Sequence, residues 1–300
     1  MSKPTKNDKS RRKFLQNLGL AGASAVSGSA LLLQSCSDSK DSTSGKKVKV
    51  LTQDNQLVEV DVANLKPGDK IEDLDYLQKR GREGMPGKKF VMVVDLAKCK
   101  NARKCMKACQ NAHQLKPEMH HINVLEMEDP VQKTSYYMPK TCQHCDNPPC
   151  VSVCPVDATF KRQDGIVLID NERCIGCRFC VAACPYSART FNWTEPKDSE
   201  EFAEVNYDME LNVPQKKGTV TKCAFSADRL REGKLPYCVS ACPNGVYYFG
   251  DSNEDLVTNG TTRKTVRLSE LLEDNAAYTL MPELGTKPSV YYLPPRKNKG

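Results

Sequence analysis

Fourteen of the fifteen cysteines in this chain fall into four runs. Cys174, Cys177, Cys180 and Cys184 lie in CIGCRFCVAACP, spaced C-x2-C-x2-C-x3-C-P. Cys142, Cys145, Cys150 and Cys154 lie in CQHCDNPPCVSVCP, the same run with two residues inserted before the third cysteine. An iron–sulfur cube needs thiolates arriving from several directions at once. In this spacing a short loop supplies three of them, and the fourth cysteine of each run serves the neighbouring cluster. The chemistry implied is one-electron transfer.

Composition points the same way. In 300 residues the apolar fraction is 39% and aromatics are 7%, alongside fifteen cysteines and eighteen prolines. A chain this polar is expected to be held together partly by its metal sites. The formal charge of +7 invites a nucleic-acid reading, but it is concentrated at the start. Residues 1–35 carry six basic residues against Asp8 alone, leaving 38 basic and 36 acidic residues elsewhere. No basic stripe with interleaved aromatics remains, and cluster thiolates would add negative charge. Nucleic acid is excluded as the main partner.

The elements that must position the cysteines are short. The pattern predicts an α+β fold: two tandem ferredoxin-like units, each binding two clusters, with long loops and a small N-terminal β-hairpin. Alternation across residues 47–61, on both sides of Gln53–Gln56, predicts the hairpin. Lys66–Asp69 reads as a turn, and Arg82–Lys89 as a linker into a strand at Phe90–Asp95. Strands are also expected at Ser135–Met138, Gly165–Asp170 and Val246–Phe249. Thr159–Arg162 and Ile166–Ile169 flank Gln-Asp-Gly, a good hairpin connection. The division is residues 1–36 as an address, 37–89 as linker and hairpin, 90–250 as the four-run domain, and 251–300 as a tail packing on it.

Within the address, Ser10-Arg11-Arg12-Lys13-Phe14-Leu15 resembles a twin-arginine export signal. The stretch Leu18–Leu33 is too short and small-sided for a membrane span. Leu33-Gln34-Ser35-Cys36 resembles a lipobox, with Cys36 as the lipidated residue and a Ser/Asp-rich tether behind it. The expected location is the periplasmic face of the cytoplasmic membrane. One acyl signal anchors weakly unless a second contact helps, and a membrane-embedded partner would provide it.

The succession CxxCDNPPCxxxCP, CIGCRFCxxACPY and KCxFxxDRLxxGxxPxCVxACP, with the ending TKPSVYYL, resembles a known family over residues 88–295. It is that of the four-cluster electron-transfer subunits of polysulfide, tetrathionate and dimethyl-sulfoxide reductases. Subunits of nitrite-reduction systems and of alternative complex III are also similar. The resemblance implies that the second and third runs pair, and that the first pairs with the fourth. Cys142, Cys145 and Cys150 with Cys184 would then hold one 4Fe–4S cluster, and Cys174, Cys177 and Cys180 with Cys154 another. Pro155 and Pro185 turn the chain away after the exchanged cysteines. The implied partners are a molybdopterin or multihaem catalytic subunit at one end and a polytopic quinone-reactive membrane subunit at the other.

The outer runs depart from the pattern. The first offers Cys99, Cys105 and Cys109, with Ala102 at the second ligand position. The fourth offers Cys223, Cys238 and Cys242, with Ser226 at that position. Under the exchange rule, Cys99, Cys105 and Cys242 form a three-thiolate site suited to a 3Fe–4S cluster, the alternative being an empty site. Cys223, Cys238 and Cys109 form the other, holding a 4Fe–4S cluster if the Ser226 hydroxyl binds and a 3Fe–4S cluster, or none, if it does not. A serine oxygen is a harder donor than thiolate and would favour ferric iron.

Other residues read more plainly. His144 sits inside a run that already has four thiolates, so a place behind the ligands or toward solvent is expected. His113, His120 and His121 lack partner spacing and read as surface or packing residues. Trp193, Tyr186 and Phe179 are expected to pack around a cluster and exclude water. Glu200–Asp208 reads as a solvated loop, with partner docking as the alternative. No nucleophile with an adjacent base, nucleotide fingerprint or phosphate loop is present, so an electron carrier without catalysis of its own is expected. The rival classes are a zinc-binding module and a disulfide-stapled scaffold.

Overall fold

The alternation across residues 47–61 folds as an antiparallel hairpin of β1 (Lys47–Leu51) and β2 (Leu57–Asp61), with Val48 opposite Val60 and Val50 opposite Val58. This computed structural model describes residues 47–51, 57–61, 74–128, 133–195 and 206–295. The twin-arginine segment, Cys36, the tether, the Lys66–Asp69 turn and residues 200–205 of the acidic stretch lie outside the described residues. The hairpin belongs to one unit, residues 1–70, and everything below to a second, residues 71–300.

The second unit runs through α1 (Leu74–Glu83), β3 (Phe90–Asp95), α2 (Lys104–Ala112), β4 (Asn123–Glu128), β5 (Ser135–Lys140) and α3 (Pro149–Ser152). It continues with β6 (Thr159–Lys161), β7 (Val167–Ile169), α4 (Phe179–Ala182), β8 (Arg189–Phe191), β9 (Val220–Lys222) and α5 (Ala227–Arg231). It closes with α6 (Tyr237–Ala241), β10 (Tyr247–Asp251), β11 (Leu256–Asn259), β12 (Thr265–Arg267), α7 (Leu268–Asp274) and β13 (Val290–Leu293).

Strand β3 is the expected one, and its unbroken apolar run has a reason. Met92 and Val94 face the core that contains the cysteines, while Val91 and Val93 face a second core with Val257, Leu268 and Leu293. A strand covered on both faces loses the polar alternation of a half-buried one. It lies in a five-stranded sheet ordered β12-β11-β10-β3-β13, antiparallel to β10 and parallel to β13. Residues 251–295 therefore do more than cover the domain: they supply three of those five strands.

The remaining strands form three two-stranded ladders, β4–β5, β6–β7 and β8–β9. The β6–β7 pair is the hairpin expected around Gln-Asp-Gly, with Thr159 opposite Ile169. Its turn is pinned from inside: the fully buried Arg162 guanidinium pairs with Asp164 and Glu210, and Glu210 also accepts from Arg231 at 2.5 Å. The helices that carry ligand candidates are short. Helix α2 bears Cys105 and Cys109, and α3, α4 and α6 bear Cys150, Cys180 and Cys238. Pro149 starts α3 at the position where a missing amide costs nothing.

Candidate iron–sulfur sites

All four runs share one backbone device. The residue two places after the first cysteine is left-handed each time: Asn101 (φ 55°), His144 (φ 42°), Gly176 (φ 71°) and Phe225 (φ 54°). This kink turns the loop back so that the cysteines before and after it face the same space. The two outer runs keep it although Ala102 and Ser226 replace the next cysteine. At Gly176 there is a second demand, because a Cβ would stand 2.0 Å from the Gly218 carbonyl oxygen.

The loops bring together cysteines far apart in sequence. Cys142, Cys145, Cys150 and Cys184 line one cavity, closed by Pro148, Pro149 and Tyr186. Cys154, Cys174, Cys177 and Cys180 line a second. Cys99, Cys105 and Cys242 line a third, with Ala102 where another thiol would stand. Cys109, Cys223 and Cys238 are mutual neighbours, each buried. All fourteen are free thiols.

Charge proximity orders these groups in a row. Cys180 faces Cys150 of the next group, Cys142 of that group faces Cys223, and Cys109 and Cys238 face Cys105. Burial pushes up the thiols of Cys105, Cys109, Cys150, Cys180, Cys223 and Cys238, and that of Cys145 to about 12, first by desolvation and then by Cys142 close by. Thiols so placed ionise only when a cation takes the proton's place, which is what iron does. Backbone amides already point at the sulfurs: Thr159 N–H donates to Cys154 and Phe225 N–H to Cys223, both at 3.5 Å. The Tyr247 hydroxyl, without an oxygen or nitrogen partner, faces the Cys105 thiol. Four convergent thiols in each of two cavities fit cubane ligation, and three in each of the other groups fit an incomplete set.

Ser226 caps α5 at φ 53°, and its Oγ accepts the Tyr237 amide at 3.1 Å. His144 does not reach solvent. Its Nδ1 accepts the Val167 amide at 3.1 Å and its ring stacks on Phe225 with centroids 3.7 Å apart. That bond leaves the proton on Nε2, which has no partner. Among the aromatics, Tyr186 is 3% exposed against the Cys142 cavity, as expected. Phe179 and Trp193 are not water-excluding walls: they are 59% and 66% exposed. The Trp193 ring is held instead by Phe191, edge-on at 4.5 Å, and by the Arg178 guanidinium 4.9 Å away.

Of the histidines expected at the surface or in packing, two are packed. His120 is half-buried beside Gln110, but His113 and His121 are buried and converge with Cys109, their ligand atoms lying within 4.8 Å of one another. The His121 Nδ1 lies 3.8 Å from Cys109 Sγ, and its Nε2 meets Thr221 Oγ1 at 2.8 Å. His113 Nδ1 donates to the Leu211 carbonyl, and burial pushes this ring down to about 4. The available signal was the four-residue step from Cys109 to His113, which puts both on one helical face.

Cysteine loops that exchange their last thiol between paired cavities define an iron–sulfur protein of the multi-cluster kind. Residues 133–201 and 198–252 match the family model described as a 4Fe-4S dicluster domain, which indicates 4Fe–4S clusters. A selenate reductase subunit of Mesobacillus selenatarsenatis is 35% identical over 97% of this chain and 99% of its own length. A tetrathionate reductase subunit of Salmonella typhimurium is 36% identical over 70% of this chain and 74% of its own. The menaquinone reductase iron-sulfur cluster-binding subunit of Nitratidesulfovibrio vulgaris is 35% identical, covering 70% and 90%. The chain belongs to the family of non-catalytic iron–sulfur electron-transfer subunits of reductase complexes.

Proposed function

We propose that this chain relays single electrons between a quinone-reactive membrane subunit and an exported catalytic subunit, a molybdopterin enzyme or a multihaem cytochrome. The observation that supports this most is the row of four thiol groups, each completed by a cysteine from a different run. Bound clusters supply one-electron carriers whose potentials follow ligand type, burial and hydrogen bonds to sulfur.

In this reading the chain forms two tandem ferredoxin-like units. Cys142, Cys145, Cys150 and Cys184 hold one 4Fe–4S cluster, and Cys154, Cys174, Cys177 and Cys180 another. Cys99, Cys105 and Cys242 hold a 3Fe–4S cluster, since the methyl of Ala102 offers no ligand. Cys109, Cys223 and Cys238 hold the remaining cluster. Tyr186, Pro148 and Pro149 keep water from the first of these sites. Export follows the twin-arginine route, with Cys36 lipidated at the periplasmic face of the membrane.

Iron and acid-labile sulfide quantitation, with redox-monitored EPR of the anaerobically purified chain, tests the assignment. Fourteen or fifteen irons with a three-iron signal are expected. Iron near eight per chain without that signal would remove the two outer sites. A colourless, zinc-loaded or disulfide-bonded protein would overturn the whole reading.

A further inference from the structure

Strands β8 and β9 set Arg189 directly opposite Lys222. These residues are 6% and 1% exposed, and among the described residues neither forms an ion pair with a carboxylate. Like charges opposite one another on a ladder are destabilising, and burying an uncompensated cation is costly. An arginine cannot escape by losing its proton. The arrangement requires a large negative charge close by.

The surroundings name its source. One Arg189 nitrogen donates to Thr159 Oγ1 at 3.1 Å, and the other terminal nitrogen is buried with no partner. The titratable neighbours of the guanidinium are the sulfurs of Cys150, Cys180 and Cys142, with Cys150 in hydrogen-bonding reach. Arg189 thus stands between the Cys142 group and the Cys174 group and lines the cavity of the first. Lys222 Nζ donates to the Val167 carbonyl and to the Cys223 carbonyl, the latter at 2.6 Å. Its charge acts on Cys150 and on Cys223, so it stands between the Cys142 group and the Cys109 group. A cubane site with four thiolates is an anion that becomes more negative on reduction, and two such sites supply the missing countercharge.

We infer that Arg189 and Lys222 are a buried cationic bridge that sets the reduction potentials of the adjoining sites and lets neighbouring sites hold added electrons together. They act through charge across the gaps between thiolate groups, so they are positioning and tuning residues, not ligands. This rests on the iron–sulfur reading above.

The test is EPR-monitored redox titration of the holo full-length chain, with iron and sulfide counted in each sample. Arg189→Gln should make both the Cys142 and Cys174 sites harder to reduce, raising the oxidised-to-reduced ratio at fixed potential about tenfold, roughly 59 mV for a one-electron couple. Lys222→Met should do the same to the Cys142 and Cys109 sites and leave the Cys174 site nearer its original value. Arg189→Lys and Lys222→Arg, which keep the charge, should stay near wild type. Neutral variants with full iron and unmoved potentials would overturn the inference. If both neutral variants lose iron, the charge-retaining pair decides: retained iron and potentials support the bridge, and loss of iron there too refutes it. A wild-type protein without iron and sulfide would instead sink the functional reading beneath it.

Discussion

Cys109 Sγ lies 3.8 Å from His121 Nδ1, and the far nitrogen of that ring meets Thr221 Oγ1 at 2.8 Å. Held at both ends, the imidazole is oriented to donate toward the sulfur rather than to wander. Hydrogen bonds to cluster sulfurs raise potential because they favour the more negative state. The ring is therefore expected to tune the group formed by Cys109, Cys223 and Cys238.

His121→Leu should lower the potential of that site alone, by about a tenfold change in the oxidised-to-reduced ratio. The Cys142 and Cys174 sites should keep theirs. Redox-monitored EPR of the variant checks this, and equal shifts at every site would contradict it.

Ala102→Cys should turn the first site from three irons to four. Asn101 and Arg103 already hold the same left-handed conformations as Gly176 and Arg178 in the complete third run. A thiol at residue 102 thus starts from a backbone shaped for it. The three-iron EPR signal should lose the contribution of that site and the iron count should rise by about one, following the ligand arithmetic of cubane sites. An undiminished signal with an unchanged iron count would show that residue 102 does not face the open corner.

Gly176→Ala should damage the third run without touching a ligand. The added Cβ meets the Gly218 carbonyl oxygen at 2.0 Å, and the position has φ 71°. Strain of this kind costs about 1–3 kcal/mol before the clash is counted. Lower iron content and an earlier thermal transition are the expected readings.

Asp164→Ala should be among the costliest single changes away from the cysteines. It leaves the fully buried Arg162 with Glu210 alone, and it also removes the acceptor for the Met85 and Ile166 amides. Removing one partner from a buried ion pair costs about 3–5 kcal/mol. Denaturant titration of the holo protein measures it.

Iron-free protein should be more stable at pH 7 than at pH 10. In the unfolded chain a thiol ionises near its ordinary value of about 8.5, whereas burial holds the folded Cys145 thiol protonated up to about 12. The folded form is thus favoured below the unfolded value and loses ground as pH rises between the two. Chemical denaturation of the apo chain at both pH values checks the sign, and greater stability at pH 10 would contradict it.

The parts of this structure that were legible in sequence are those where one local rule acts alone. Phe90–Asp95 reads as a strand because every residue is apolar or closes the run, and the cysteine runs mark the loops that gather around the cavities. The C-terminal strands were not legible because Thr265–Arg267 and Leu256–Asn259 are three or four residues long and half polar. Their place comes from pairing with β10, which no local pattern encodes. Nothing local marks Arg189 and Lys222: two strands about thirty residues apart fold them inward together. Trp193 and Phe179 failed in the opposite sense, since nearness in sequence to Cys180 did not mean nearness to its cavity.

The left-handed kink two residues into every run separates the shape of the socket from its contents. Asn101 and Phe225 hold their loops in form although the next residue is Ala or Ser. On the proposed relay, a single side-chain exchange at that next position re-equips one station of the electron path by its ligand while the loop that frames it keeps its shape.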